Sequence, residues 1–455
     1  MSTSRICGLG LGFVFLVWAG PVAAVDETAP AAVRIPAALE PGVLAASQQS
    51  GGRIASHQPD GLIASPEPGW PQWRGPRRDG ISAETGLQPA WPEEGPKLLW
   101  KREGLGQGWS SPIVVGQSIY VTGDVDQQLW LFALDLQGRL RWKTAHGKAW
   151  EKSFPGSRAT CCYSAGRLYL LNAHGQLGSF DAATGLKLWE VDILQRFEGD
   201  NITWGISECV LVDGARVIVT PGGRQALVAA LDKQTGETVW ATPPLAEGRA
   251  TYSGPILFWY AGRRVLANCS SDFGFGVDAD SGRLLWKIPL KNQYGVNVST
   301  PIYGAGRVFY VTAYFSGGCF QLHAEGDGIR AEPAWTTHLD TVTGGGVLLD
   351  NRLYAGGYRK PNKHWFCVDW TSGAVQHELK ELTTAAALYA EGRLYCLAED
   401  GRAALLEPTP TELKIRGEFR LVPKARDAWA HPVLLNGRLY LRYHDTLWCY
   451  AVVNR

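Results

Sequence analysis

Short runs of strand-forming residues recur along this chain, and each run is bounded by a glycine turn. A glycine followed within four residues by Tyr or an aliphatic residue returns at intervals of 41 to 50 residues, and long stretches with a helical apolar period are few. A repeat of this length is typical of the blades of a β-propeller. The eight turn positions are Gly116, Gly166, Gly214, Gly262, Gly306, Asn351, Gly392 and Gly437.

A second phrase recurs in phase with the first and predicts the hairpin that ends each blade. In one instance Asp232 is followed by Gly236 and then by Trp240. The carboxylate can accept bonds from backbone amides two residues on, and the glycine takes the positive φ that reverses the chain. The tryptophan is large enough to fill the gap between stacked sheets. We expect positive φ at Gly236 and at its counterparts Gly185 and Gly282.

The eight repeat units marked by these turns predict an all-β, eight-bladed propeller of four-stranded antiparallel blades. A single unit buries both faces only when it stacks on its neighbours. The last unit stops after residues 446–452 and has no fourth, Trp-bearing strand, whereas the orphan residues 96–101 resemble the Trp strand at 284–287. We therefore predict that this N-terminal strand joins the last blade and closes the ring.

Composition divides the chain into four parts. Residues 1–24 read as a secretory signal peptide, with a retained anchor as the alternative. Residues 25–69 are rich in Ala, Pro and Gly and predict a disordered linker. Residues 70–95 lead into the propeller, which takes up residues 96–455. We expect an exported protein, periplasmic or extracellular, that is monomeric and has no membrane span in its mature form.

Charge excludes one class of partner. The chain carries 44 basic and 43 acidic residues, for a net charge of +1. A nucleic-acid-binding domain is normally strongly basic on one face, so we expect no nucleic-acid partner.

The Asp-x-x-Thr-Gly-x-x-x-Trp phrase resembles the tryptophan-docking motif of pyrroloquinoline quinone (PQQ) repeat proteins. The resemblance covers residues 70–455, and the opening Trp-Pro-Gln-Trp-Arg-Gly at 70–75 is similar to that of many bacterial PQQ-like propellers. This superfamily has two functional classes. One contains quinoprotein dehydrogenases, and the other contains non-catalytic scaffolds such as the propeller lipoprotein of the outer-membrane β-barrel assembly machinery.

An adjacent pair, Cys161 and Cys162, bears on that choice. In methanol-dehydrogenase-like quinoproteins such a pair forms a strained disulfide against PQQ, so the resemblance implies cofactor contact here if PQQ binds. Alternatively, Cys161 stands where Pro112 stands in the first blade, and a free thiol there packs as a small hydrophobe. The family's calcium ligands and catalytic base cannot be matched residue by residue. We expect no cofactor, with PQQ and calcium as the alternative.

Aromatic residues placed just before first strands predict a binding site. First strands line the central channel, so the three tryptophans in that position should ring one mouth of it: Trp109, Trp204 and Trp429. Arg158, Glu208 and His431 take nearby positions in their own blades. Aromatic faces with a few polar groups are typical of a small-ligand or peptide pocket. In the alternative, the tryptophans pack loops and Glu208 pairs with Arg158.

We therefore interpret the chain as an exported PQQ-like propeller that acts as a non-catalytic binding or scaffold module. Its partner would be an envelope protein or a small-molecule ligand at the channel mouth. The alternative function is a PQQ-dependent dehydrogenase that oxidises an alcohol or a sugar.

Overall fold

Strands dominate the computed structural model, which describes residues 59–243, 249–290, 292, 294–312, 316–341 and 345–453. These residues form 33 strands in eight sheets and one short helix. No helix within these ranges is long and apolar enough to cross a membrane. The predicted signal peptide and the linker up to residue 58 lie outside the described residues.

Two strands precede the first blade: β1 (Gly61–Leu62) and β2 (Lys97–Arg102). The first four blades follow in chain order as β3 (Ile113–Val115), β4 (Ser118–Val125), β5 (Gln128–Asp135) and β6 (Leu140–Lys148); β7 (Cys162–Ser164), β8 (Arg167–Leu171), β9 (Gln176–Asp181) and β10 (Lys187–Asp192); β11 (Leu211–Asp213), β12 (Arg216–Val219), β13 (Ala229–Asp232) and β14 (Thr238–Ala241); and β15 (Ile256–Tyr260), β16 (Arg263–Cys269), β17 (Phe273–Asp278) and β18 (Leu284–Pro289). Helix α1 (Ile193–Phe197) links blades 2 and 3.

The last four blades repeat the same arrangement. They are β19 (Ile302–Gly304), β20 (Arg307–Thr312), β21 (Ser316–Glu325) and β22 (Gly328–Thr337); β23 (Val347–Leu349), β24 (Arg352–Gly356), β25 (Trp365–Asp369) and β26 (Val375–Leu379); β27 (Ala385–Ala390), β28 (Arg393–Ala398), β29 (Arg402–Pro408) and β30 (Leu413–Arg420); and β31 (Val433–Leu435), β32 (Arg438–Tyr443) and β33 (Thr446–Ala451). First strands of neighbouring blades contact one another, as β19 does β23, which places first strands around the axis. The predicted fold is confirmed.

The N-terminal strand closes the ring. Strand β2 pairs antiparallel with β33 and gives blade 8 its fourth strand, with Leu98 opposite Tyr450 and Lys101 opposite Trp448. The orphan N-terminal strand and the last strand of the chain therefore share one sheet, as the missing strand of the last repeat predicted.

Tryptophans fasten five of the blades to the turn glycine of the next one. The indole N–H of Trp189 in blade 2 donates to the carbonyl of Lys233 in blade 3 at 3.2 Å. The ring of Trp189 lies against the turn glycine Gly236, where an added Cβ would meet Cε3 of the ring at 3.0 Å. Asp232 Oδ1 accepts from the backbone N–H groups two and three residues further along the chain, at 2.8 and 2.9 Å. The φ of Gly236 is 77°, as are those of Gly185 and Gly282, so the predicted positive φ values are confirmed.

Residues 59–82, here called the channel segment, cross the axis of the propeller. Strand β1 pairs with β15 as a fifth, innermost strand of blade 4. Trp70 and Val114 of blade 1 exchange two backbone bonds of 2.8 and 3.0 Å. In blade 7, Tyr389 donates to Gly80 at 2.7 Å and accepts from Ser82 at 2.8 Å. The segment thus ties blades on opposite sides of the ring.

Two buried arginines extend these ties to two more blades. Arg78 Nη1 donates to the carbonyl of Val210, at the start of blade 3, at 3.0 Å. Arg74 Nη2 donates to the carbonyl of Gly346, at the start of blade 6, at 2.6 Å. Each guanidinium carries several donors, so it can bond carbonyls that backbone pairing alone would not reach.

The channel segment corrects the predicted linker boundary. Residues 59–69 are ordered within the propeller. They run from β1, which pairs with blade 4, to Gly69, which lies beside Val114 of blade 1. The linker prediction was wrong for these residues because their order comes from contacts with distant blades, which composition does not show. Backbone pairing of β1 with β15 is joined by side-chain bonds, in which Asp60 accepts from Ala261 N at 2.8 Å and Glu67 accepts from Ala165 N at 2.8 Å.

Removing the closing strand should destabilise the whole ring. Deleting residues 70–103 takes away β2 and most of the channel segment, and leaves β33 as an open edge that favours aggregation. We expect a lower melting temperature and loss of the monomer. The control is a truncation that begins at Pro59. A variant lacking residues 70–103 that has the same melting temperature as this control and stays monomeric would contradict ring closure by β2.

The turn glycines offer a test of blade docking. Gly236→Ala should cost roughly 1–3 kcal/mol, because it combines left-handed backbone strain with a clash against Trp189. The matched control is Gly166→Ala, at φ 80° with no atom within 4 Å of an added Cβ. Urea denaturation measures both. Equal losses would show that the indole contact contributes nothing beyond backbone strain.

Candidate functional site

The loops that lead into first strands converge at one mouth of the channel. They enclose a cavity of ≈ 240 Å³ that is lined by residues preceding β3, β7, β11, β15, β19, β23 and β31. A propeller brings these positions together because every first strand starts at the same level around the axis. Its aromatic lining residues are Trp73, Trp109, Phe154, Trp204, Tyr252, Tyr358 and Trp429.

Hydrogen bonds hold two of the indoles from behind. Trp109 and Trp429 pack at a centroid distance of 5.2 Å and an interplanar angle of 33°. Trp109 Nε1 donates to Asp427 at 3.2 Å, and Trp429 Nε1 donates to Glu399 at 2.9 Å. Since the N–H groups of both indoles are already hydrogen-bonded to carboxylates, their apolar faces are left to contact a ligand.

Arg158 forms one wall of the cavity. Its guanidinium lies 5.3 Å from the centroid of Trp109 and donates to the carbonyl of Trp204 at 2.6 Å. Further bonds reach the carbonyls of Gly156 and Phe154 at 3.1 and 2.8 Å. Burial lowers the pKa of Arg158 to about 10, which leaves it protonated at neutral pH.

Trp73 forms the floor of the cavity, a position that was not predicted from the sequence. Its ring meets His431 edge-on at a centroid distance of 4.9 Å. The guanidinium carbons of Arg74 and Arg78 lie 5.6 and 5.9 Å from the ring centroid. The only signal in the sequence was the Trp-Pro-Gln-Trp-Arg-Gly opening, which identified the family and gave no position relative to the channel.

The structure places five of the six candidate residues on the cavity: Trp109, Arg158, Trp204, Trp429 and His431. Glu208 is different, because its side chain has no exposed surface and does not line the cavity. It accepts from Thr220 N and Thr220 Oγ1 at 2.8 and 2.7 Å. The prediction that Glu208 contacts a ligand was therefore wrong. The alternative, in which Glu208 pairs with Arg158, was also wrong, because the cation near Glu208 is Arg78.

The cysteine pair does not fit a cofactor at the mouth. Cys161 and Cys162 are free, buried thiols that point into different interblade cores, and neither lines the cavity. The channel segment covers them, because Tyr163 N donates to Pro71 O at 2.8 Å and Cys162 Sγ lies 3.9 Å from Gln72 Oε1. Burial raises the pKa of Cys162 to about 11, which favours an inert thiol.

The residues that line the cavity do not provide the ligands of a calcium site either. Ca²⁺ prefers six to eight oxygen ligands, several of them carboxylates. None of the described lining residues is Asp or Glu, and no group of three or more His, Cys, Asp or Glu in the described ranges could hold a metal ion. The residues present therefore do not fit the calcium that accompanies PQQ.

Buried Glu208 should make stability depend on pH. Burial raises its pKa from 4.5 to about 7, so the folded state holds a proton that the unfolded state releases. The stabilisation from this proton is present below pH 4.5 and is lost as the pH rises towards 7. Relative to Glu208→Gln, the wild type should lose on the order of 1–3 kcal/mol of unfolding free energy over that window. Parallel profiles for the two proteins would refute the assignment.

Comparison with known proteins gives one family match. The family profile described as the outer membrane protein assembly factor BamB matches residues 130–379, more than half of the chain. Among curated proteins, none matches.

Solved structures share the fold at low sequence identity. BamB from Moraxella catarrhalis has a TM-score of 0.55 at 13% identity, covering 79% of this chain and 98% of its own. A quinohemoprotein alcohol dehydrogenase from Comamonas testosteroni has a TM-score of 0.60 at 14% identity, covering 85% and 81%. The computationally designed protein Ika8 has a TM-score of 0.52 at 12% identity, covering 78% and 100%. Such likeness shows the fold alone, since one fold hosts many functions.

Proposed function

Because the chain belongs to the PQQ-like propeller family that the BamB profile describes, we propose that it is an exported, non-catalytic binding module. The observation that carries this proposal is the aromatic cavity at the channel mouth. The cavity combines hydrogen-bonded indoles such as Trp109 with a half-buried cation, Arg158. Concave apolar sites with a few polar groups are the usual form of ligand pockets.

Export is the second part of the proposal. It rests on the sequence of residues 1–24, with a charged start, an apolar run and small residues before position 25. A periplasmic or extracellular propeller would meet envelope proteins and small molecules, and either could enter the mouth. We propose that the mature protein works as a monomer, since ring closure already satisfies the edge of β33 internally.

A PQQ-dependent dehydrogenase is the function that this proposal displaces. The likeness to a quinohemoprotein alcohol dehydrogenase extends to the fold at 14% identity and does not carry its activity over. The buried Cys161 and Cys162 and a described lining without carboxylates give PQQ and calcium no matching contacts.

Binding at the mouth can be separated from binding at the outer blade edges. Purified wild-type protein is used to capture ligands from an envelope extract, and the captured species is then titrated against variants. Trp204→Ala should weaken binding by on the order of 1–3 kcal/mol, as loss of an aromatic anchor does. The controls are Leu186→Asn and Val239→Asn, at aliphatic residues exposed on blades 2 and 3. If only the controls lose binding, the propeller is a side-on scaffold.

The same preparation tests the enzyme alternative. It is loaded with PQQ and Ca²⁺ and assayed for dye-linked oxidation of alcohols and aldoses. We expect no turnover above that of free PQQ. Turnover that disappears in a Cys161→Ser, Cys162→Ser double variant with an unchanged melting temperature would overturn the non-catalytic proposal.

A further inference from the structure

We propose that the outer rim of the propeller, on the face opposite the mouth, is a docking surface for an anionic lipid membrane. This surface, here called the aliphatic arc, crosses blades 8, 1, 2 and 3, which are consecutive in the closed ring. The inference goes beyond the proposed function, because it concerns a second surface away from the mouth cavity. The arc consists of six exposed aliphatic residues: Leu98, Leu99, Leu140, Leu186, Leu188 and Val239.

The docking tryptophans place the arc at one level of the ring. In blades 8, 1, 2 and 3 the fourth strand carries a tryptophan that lies against the turn glycine of the next blade. These four indoles therefore stand at the same height around the axis. Exposed aliphatic residues occur one or two positions before each of them, as Leu140 does before Trp142 and Val239 before Trp240. Points at one height of a ring lie in a plane, so the side chains of the arc can meet a flat surface together.

The arc lies on the face that is opposite the mouth. First strands begin at the mouth, and the four strands of a blade alternate in direction, so the hairpin between the third and fourth strands points away from the mouth. Leu186 lies in this hairpin of blade 2 and is 65% exposed, more than any other large hydrophobic side chain of the described ranges. A membrane on the arc would therefore leave the mouth cavity open.

Hydrophobic exposure is concentrated on the arc. Nine large hydrophobic side chains of the described residues are exposed, and six of them belong to it. Of the others, Phe154 and Tyr294 lie in loops that lead into first strands, and Val375 is alone on blade 6. Single exposed aliphatic residues are ordinary on a protein surface, whereas a row across neighbouring blades indicates an interaction surface.

Packing ends the arc at both of its neighbours. In blade 4, Leu285 is 7% exposed because it packs in one cluster with Ile329 of β22, the outer strand of blade 5. On the other side, residues 88–95 run beside β30 of blade 7, where Trp91 N donates to Arg416 O at 2.9 Å. The exposed row is therefore limited to the four blades between these two contacts.

Unpaired basic residues stand among the aliphatic ones. Lys97, Arg141 and Lys143 are exposed on the outer strands of blades 8 and 1, and no ion pair joins them to a carboxylate in the described part of the chain. Arg141 donates to Ser118 Oγ at 2.8 Å, and Lys143 Nζ lies 4.4 Å from the ring centroid of Trp130. Basic side chains near an anionic leaflet are attracted to its headgroups.

Most acids beside the arc are already paired or lie at its ends. Asp135 pairs with Arg139 at 2.6 Å, and Glu190 pairs with Lys187 at 2.5 Å. Exposed acids outside such pairs precede the outer strand of blade 8, at residues 93 and 94, or lie in blade 3, at Glu237. The positive charge of the arc is therefore greatest at its centre, on blade 1.

This composition suits a lipid surface better than a protein partner. The residues that dominate binding to proteins are enriched in Trp, Tyr and Arg, and Leu and Val are under-represented among them. The arc offers Leu and Val instead, and its tryptophans are turned back onto the next blade. Aliphatic side chains that enter the acyl boundary, with basic groups at the level of the headgroups, are typical of proteins that lie on a membrane.

Vesicle sedimentation of the full-length chain tests the inference. The vesicles contain phosphatidylcholine alone or phosphatidylcholine mixed with phosphatidylglycerol, and the melting temperature of each variant is recorded. The aliphatic variant combines Leu186→Asn with Leu188→Asn. Its matched control is Val375→Asn, an exposed residue two positions before His377, which replaces the tryptophan in blade 6. All variants share residues 1–24, so differences between them report on the arc.

A second pair of variants tests the charge. Arg141→Gln combined with Lys143→Gln removes the basic centre of the arc, and Arg330→Gln on the outer strand of blade 5 is the control. Amide hydrogen exchange of the wild type on the mixed vesicles then locates the contact. Protection is expected in the turns and outer strands of blades 8, 1 and 2.

We expect the wild type to bind the mixed vesicles more tightly than phosphatidylcholine alone. The leucine variant should weaken this binding about tenfold, the scale of withdrawing apolar side chains from the acyl boundary. The charge variant should weaken binding to the mixed vesicles about tenfold, as two basic residues at an anionic surface do, and leave binding to phosphatidylcholine unchanged. Val375→Asn and Arg330→Gln should bind as the wild type does.

Three results would overturn the inference. The first is equal binding of the wild type to both kinds of vesicle, and the second is protection from exchange confined to blades outside the arc. The third is a leucine variant that keeps its vesicle binding but loses a captured envelope protein, which would make the arc a protein interface. The proposed function is decided separately by Trp204→Ala, because the mouth cavity takes no part in this contact.

Discussion

The contact between a tryptophan and the turn glycine of the next blade, which recurs at five of the eight blade junctions, is the constraint on which the stacking of those blades depends. Trp100 in the closing strand donates to Leu136 O at 2.9 Å, and Trp335 donates to Trp370 O at 2.9 Å. Because the glycine has no Cβ, the indole reaches the turn backbone and fixes the spacing between sheets. The same contact at Trp100 joins the N-terminal strand to blade 1, so closure uses the interaction that stacks four other pairs of blades. Regular spacing then brings the loops before the first strands to one mouth.

The channel segment fills the axial hole of this ring and forms the floor of the cavity at its mouth. A propeller alone would leave an axial hole, but residues 70–82 bond to inner strands of opposite blades and place Trp73 across it. Buried Arg74 and Arg78 support that floor with bonds to carbonyls. The segment therefore contributes stability and a ligand-facing surface at once. It also separates the mouth from the cysteine pair, which lies under Gln72, and this separation distinguishes the cavity from a cofactor site built on those thiols.

The sequence was sufficient for features that depend on local spacing. Gly236 and its counterparts needed positive φ because an Asp-ended strand and a Trp strand follow each other within a few residues. Trp109, Trp204 and Arg158 could be placed at the mouth because each directly precedes a first strand. Glu208 could not be placed, because nothing local tells which way a side chain turns within a loop. Trp73 was missed because its position depends on contacts with blades far away in the sequence. Residues 59–69 were misread because their order depends on contacts with distant blades, which composition does not show.

The central claim is that the mouth cavity is the functional surface of this propeller. Anomalous diffraction tests it directly, with crystals soaked in para-iodobenzyl alcohol. The account predicts an iodine peak in the cavity between Trp73 and Trp204. Iodine found only along the outer blade edges would contradict it.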